Sequence, residues 1–185
     1  MGDDGVGAFG IACYYIPFVF MVGNAIAQSA QPIISYNYGA GSARRVKDAF
    51  KLLLKISLGY ALFLWAMVMI LPGGFVRMFT SDLKLIAFTK TALRVYLAAL
   101  FMMGIQMACQ MTFNSLGRAV ESIIVAIMRK FVLLLPLIFV LPQIFKSDQT
   151  MAVYLAEPIA DFLAVSFTIV LFAIQFRKAL RKMYA

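Results

Sequence analysis

The sequence predicts an all-α fold: a polytopic bundle of five transmembrane helices in one membrane domain over residues 1–185, N-terminus outside and C-terminus cytoplasmic. Three observations carry this prediction. The chain is 63% hydrophobic and 14% charged, and a domain of this size leaves roughly 30% of its unfolded-chain surface uncovered, so lipid has to cover what water would reject. Five apolar runs are each long enough for a hydrocarbon core of about 30 Å, which takes about 20 helical residues. The excess of 17 Lys and Arg over 8 Asp and Glu falls mostly between those runs. Charge placed that way sets topology; a nucleic-acid-binding or solvated face would thread it through every helix.

Residues 1–7 read as a short acidic start with Asp3 and Asp4. Without a basic n-region they form no signal peptide. The first span is expected over 8–36, interrupted by Pro17, Gly23 and Pro32 and stopped by Gly39 and Gly41. The second is expected over 50–71, ended by Pro72-Gly73-Gly74, after which 75–84 reads as a short interfacial turn carrying Arg77, Asp82 and Lys84. The third, 86–114, stops at Gly117. The fourth, 120–145, opens with Glu121, a carboxylate suited to the positive end of a helix dipole. The fifth, 151–176, runs into the basic tail Arg177, Lys178, Arg181 and Lys182.

Arg44, Arg45, Lys47 and Lys51 lie between spans one and two, Arg118 between three and four, and the tail after five. Those faces are expected in the cytoplasm, and the two aspartates outside. An outside start without a signal peptide implies an upstream lobe that supplies an odd number of crossings. There is no histidine, and Cys13 and Cys109 are expected at different depths, so neither a metal site nor a disulfide is expected. Without a nucleophile turn, phosphate loop or metal-ligand cluster, the chain does not read as an enzyme.

Polar groups inside apolar runs are the candidate functional residues. Asn24, Gln28 and Gln31 stand at helical offsets of four and seven and share one face. Carboxamides in a bilayer need partners or a wet cavity, so this face either bonds to a neighbouring helix or lines a substrate path. Pro32 beside them removes a backbone hydrogen bond and suits a kink, static or gating. On the third span Met103, Gln106, Gln110 and Asn114 follow one another about one turn apart, among Met102, Met107 and Met111. Methionine is flexible and polarizable and can adapt to apolar cations, although plain packing accounts for such a wall equally. Arg129 is roughly 12 Å into the fourth span and Asp161 about 15 Å into the fifth from the other side. A charge in hydrocarbon costs at least about 2.5–3.5 kcal/mol, so the two are expected to pair. Glu157 lies one turn from Asp161 on the same face; the alternative role for these carboxylates is proton transfer in a coupling path. Lys130 and Arg94 are expected to snorkel to an interface.

Several stretches together resemble one family. Asp3-Asp4-Gly5-Val6-Gly7-Ala8-Phe9-Gly10-Ile11, then Gln31-Pro32 with Tyr36-Asn37-Tyr38-Gly39-Ala40-Gly41 and Arg45, are similar to the segment around the eighth helix of multidrug and toxic compound extrusion (MATE) transporters. Gln106, Gln110 and Asn114-Ser115-Leu116-Gly117-Arg118 resemble the tenth helix, Arg129 with Pro136 the eleventh, and Glu157-Pro158-Ile159-Ala160-Asp161 the twelfth. The resemblance implies helices eight to twelve of a twelve-helix, two-lobed inner-membrane antiporter working by alternating access. It implies H+ or Na+ as coupling ion and no other cofactor. The implied partners are the lipid bilayer, small organic cations or drugs, and a missing N-terminal lobe, with no nucleic acid. The sodium-coupled branch carries an acidic residue where Met103 stands, which puts cation binding there in doubt. Two other readings stay open. One is a lipid-linked oligosaccharide flippase of related fold, which would want several inward arginines; the other is an inactive fragment or small membrane interaction protein.

Overall fold

Backbone groups that cannot bond to lipid have to bond within the chain, and the regular elements among the described residues are all helical. The computed structural model describes residues 2–145 and 149–184, and their side chains except at 2–6, 8, 9, 11–16, 18, 19, 75 and 184. The order is α1 (Gly2–Gly39), α2 (Ala43–Ile70), a short α3 (Pro72–Arg77), α4 (Leu83–Tyr96), a 3-10 turn (Leu100–Met102) and α5 (Met103–Ser115). Then α6 (Ala119–Ile127) widens into a π-helical segment (Met128–Leu134) before α7 (Leu135–Ile144), and α8 (Gln149–Tyr184) closes the chain. Cys109 is buried in α5 as a free thiol, while the side chain of Cys13 lies outside the described ones.

Each expected span falls on a helical run, with the starts of all five and the ends of the first, third and fifth moved outward and the ends of the second and fourth one residue short. α1 takes in the acidic start and keeps both Pro17 and Pro32 inside it, which a helix in lipid tolerates when neighbours satisfy the freed carbonyls. α2 begins at Ala43 because its basic run turns charge outward while Ala43, Val46 and Leu53 turn inward. α8 continues to Tyr184 because Phe176, Ala179 and Leu180 still pack on the core. The expected turn at 75–84 is partly α3, followed by Asp82, whose carboxylate accepts the Lys84 N–H at 2.9 Å and caps α4.

Three helices are individually long and apolar enough to cross a membrane: Ala43–Ile70, Ala119–Ile144 and Gln149–Met183. A fourth is Leu83–Tyr96 with Leu100–Ser115, taken as one span bent by 40°. The first of the five expected spans lies in α1, whose 38 residues reach about 57 Å at 1.5 Å per residue. Over its described residues α1 is not among the helices that meet the apolarity requirement.

Two helix ends are fixed by glycine. At Gly41 (φ +71°) the Ser42 N–H reaches back to Asn37 O, and at Gly117 (φ +70°) the Arg118 N–H reaches Phe113 O. These six-to-one bonds demand a left-handed residue between them. The bend in the third span has a different origin, since 97–102 holds neither proline nor glycine. Trp65 Nε1 on α2 donates to Ala98 O at 2.9 Å, and Trp65 meets Phe101 edge-on at 5.7 Å. With an indole donor on that carbonyl, the ladder tightens to three-residue bonds from Leu100 to Leu97 and from Met102 to Ala99, a side-chain insertion of the kind that kinks helices. Arg94 is exposed and donates to Met69 O at 3.0 Å, satisfying one of the last carbonyls of α2.

α2 lies against α1 and α5, and α8 against α5, α4 and the π segment. One core cluster joins Ala27, Ile34, Val46, Leu53, Phe113, Phe172 and Phe176, with Phe172 stacked on Phe176 at 4.9 Å. A second joins Val68, Val76, Ile86, Leu93, Leu97 and Met103 near the α3–α4 end. α5 crosses α2 so closely that a Cβ on Gly104 would sit 2.5 Å from Ser57 O. Gly104→Val is therefore expected to lower the melting temperature of the chain in detergent by an overpacking cost of roughly 1–3 kcal/mol. Gly59→Ala, with open space at its Cβ position inside α2, is the control and should melt no lower than the parent, since alanine favours the helix. Equal melting of both variants would refute the close crossing.

Candidate functional site

The charged residues of spans four and five converge. Pro136, near the start of α7, lacks an N–H and its ring would clash with the carbonyl of residue 132 in a regular α-helix. The backbone widens instead, and Leu135 N–H donates to Lys130 O, five residues back. Such π segments recur at functional sites, and this one carries Arg129. The guanidinium Nε donates to Asp161 Oδ1 at 2.6 Å and Nη2 to Glu157 Oε1 at 3.2 Å. Only 12% of the Arg129 side chain is exposed, with 14% for Glu157 and 8% for Asp161. The sequence pointed to Arg129 with Asp161; the fork of the guanidinium recruits Glu157 as well. One guanidinium thus holds both carboxylates, and Lys130, the next residue of the π segment, adds a second positive charge that acts on Glu157.

The carboxamides of α1 stand elsewhere. Asn24, Gln28 and Gln31 are exposed, as are Met21, Pro32 and Tyr36, while Ala27 and Ile34 on the other side are buried. They make no hydrogen bond to a described residue. This face is turned away from the core of the chain, and hydrocarbon against bare carboxamides is unfavourable. It therefore requires either water or another polypeptide.

The stripe on α5 divides. Met103 and Gln106 are buried, Gln110 is half-buried and donates from Nε2 to Ser122 O at 3.3 Å, and Asn114 is exposed. Gln106 Oε1 has no hydrogen-bond partner among the described residues. Met103 and Met107 border a cavity of about 20 Å³ with Phe20, Tyr60, Leu64 and Leu100, room for about one water molecule. The methionines nearest it are packed, and the four residues line no single open path. Sequence reasoning did not single out Gln175, which accepts from Arg118 Nη1 while the same nitrogen holds Glu121 at 3.0 Å. Only the position of Arg118 after a helix stop hinted at a bracket between α6 and α8.

The MatE family profile matches residues 1–140. This chain belongs to the MatE family. It is 24% identical over 167 residues to the multidrug export protein MepA of Staphylococcus haemolyticus, covering 89% of this chain and 36% of that protein. It is 27% identical over 158 residues to the FAD transporter of Shewanella oneidensis, covering 85% and 34%. Among solved structures, the ligand-bound MATE multidrug transporter DinF-BH superposes with a TM-score of 0.80 at 32% identity, over 90% of this chain and 36% of that one. A MATE protein in a bent conformation superposes with a TM-score of 0.86 over the whole chain at 18% identity, which shows a shared fold. The MatE chain described here spans about a third of the length of these relatives.

The charge cluster makes a stability prediction for this MatE chain. Arg129→Gln would leave two buried carboxylates without their cation, a loss that typically costs about 3–5 kcal/mol. The melting temperature should drop sharply. In the triple variant Arg129→Gln, Glu157→Gln, Asp161→Asn, with those three charges gone, it should recover by more than half. A triple variant that melts below the single one would show that the cluster does not carry the effect.

Proposed function

We propose that this chain is the C-terminal lobe of a cation-coupled multidrug efflux antiporter in the inner membrane, five spans with its N-terminus outside. The observation that carries the reading is the bare carboxamide face of α1, which calls for a second lobe or a wet cavity against it. Two lobes rocking about such a cavity would expose it alternately to each side. Asn24, Gln28 and Gln31 would offer hydrogen bonds there without charge, and Pro32 a place for α1 to bend. Such a wall suits apolar or cationic compounds better than a polyanion, which would need arginines or lysines facing it. The multidrug proteins MepA and DinF-BH support this choice by their names; a flavin dinucleotide, as transported by another relative, fits an uncharged wall less well.

Glu157 is the proposed coupling carboxylate, for H+ or Na+. Its contact with Arg129 is the longer of the two, 3.2 Å against 2.6 Å for Asp161, so it is the group more easily released to an incoming cation. No further cofactor and no enzymatic step enter this mechanism.

The test is gradient-driven uptake of ethidium into everted vesicles of an efflux-deficient bacterium. Residues 1–185 alone should give no uptake above empty vesicles, and co-expression with an N-terminal lobe of the family should restore it. Uptake by the chain alone would overturn the one-lobe reading, and none with both lobes the transport reading. In the restored system Asn24→Ala, Gln28→Ala, Gln31→Ala together should cut uptake at least about tenfold. Glu157→Gln should leave ethidium binding in place but remove the response to an imposed H+ or Na+ gradient; a retained response would assign coupling elsewhere.

A further inference from the structure

α8 has two faces at its C-terminal end, and only one of them is covered. Phe172, Phe176, Ala179 and Leu180 pack inward as part of the core. On the other side Val170 is 61% exposed and Ile174 50%, and Arg177 and Arg181 continue the same strip at helical spacing. Ala173, Ile174, Arg177, Lys178 and Arg181 line a groove of about 300 Å³. Among the described residues, no carboxylate lies within 4.0 Å of Arg177, Lys178 or Arg181, since the ion pairs formed belong to Arg118 and Arg129. The strip is held rigidly at this level, by the Arg118 contact to Gln175 and by Phe50 packed on both Phe172 and Phe176 at 4.6 and 5.2 Å.

We propose that this groove binds an anionic phospholipid, its phosphate between Arg177, Lys178 and Arg181 and its acyl chains along Val170 and Ile174. Two guanidinium groups one helical turn apart suit a phosphate, which arginine grips with paired N–H donors, and Lys178 adds a point charge. The apolar half of the strip begins within one turn of the charged half, so the ligand has to be amphiphilic. A free phosphate would use only the basic residues, and an acidic soluble protein would gain nothing from Val170 and Ile174. Clustered basic residues at the end of a membrane helix attract anionic headgroups by about 1 kcal/mol per residue near the surface, and here they are joined to a shaped groove.

The experiment is lipid retention by the chain purified in neutral detergent, measured by native mass spectrometry as phosphatidylglycerol or phosphatidylcholine is titrated in. Phosphatidylglycerol should be retained at least about tenfold more tightly, with a preference that falls as salt is raised. Arg177→Gln, Lys178→Gln, Arg181→Gln together should abolish the preference, whereas Lys47→Gln with Lys51→Gln should keep it. Ile174→Asn should weaken phosphatidylglycerol while keeping its salt dependence. Circular dichroism of each variant checks that the helices persist. Equal retention of the two lipids, a preference surviving the triple substitution, or displacement of phosphatidylglycerol by equimolar glycerol phosphate would each overturn the proposal. The readout needs no transport, so it stands or falls independently of the efflux assay.

Discussion

A guanidinium held between two carboxylates at span depth is the constraint around which the second half of this chain is arranged. None of the three charges is tolerable alone in hydrocarbon, and each reaches its partner only if α8 lies against the fourth span in one register. Glu157 and Asp161 are one turn apart, so both face the same neighbour. Arg129 meets them from a stretch of backbone that is π-helical. A π turn adds a residue without breaking the helix, which shifts where every later side chain points. The fourth span turns Phe131, Val132, Phe139 and Val140 outward, while Leu134, Leu137, Ile138 and Leu141 pack on Ala152, Leu155 and Ala156 of α8, so charge and packing together attach it to α8.

The first half is held differently. Small residues and a glycine let α5 approach α2 to backbone contact at Ser57, the way membrane helices associate when lipid is as apolar as the side chains. Side-chain donors then satisfy backbone carbonyls, Trp65 that of Ala98 and Arg94 that of Met69. The same pattern holds around α5, where Gln110 bonds to Ser122 O and Ser35 to Ser115 O at 2.9 Å. Among the described residues several polar side chains thus serve backbone carbonyls, while others are exposed and form surfaces without such a bond. Asn24, Gln28 and Gln31 form one such surface. Arg177, Lys178 and Arg181 form another, bordered by the exposed Val170 and Ile174.

What the sequence by itself determined was the class of the protein and the identity of its unusual residues. Hydropathy and charge placement were enough for an all-helical membrane chain, because a 20-residue apolar run in lipid has no alternative to the helix. Gly41 and Gly117 were readable as stops because the left-handed conformation is easy for glycine alone. Arg129, Asp161 and Glu157 were legible from cost: a charge among apolar neighbours has to be answered by another.

Only the tertiary structure decided which neighbours answer, and where helices deviate. The 40° bend at 97–102 carries no sequence mark, since it depends on an indole arriving from α2. The π segment had Pro136 as its signal, yet proline allows a kink, a break or a widening, and the pull of Asp161 and Glu157 on Arg129 is a contact between distant parts of the chain. The carboxamides of α1 show the same limit. Helical spacing placed them on one face, but whether that face meets the chain's own core is set by how α1 rolls against α2 and α5. It rolls Ala27 and Ile34 inward, because burial of apolar surface favours that side, and the carboxamides are left facing out.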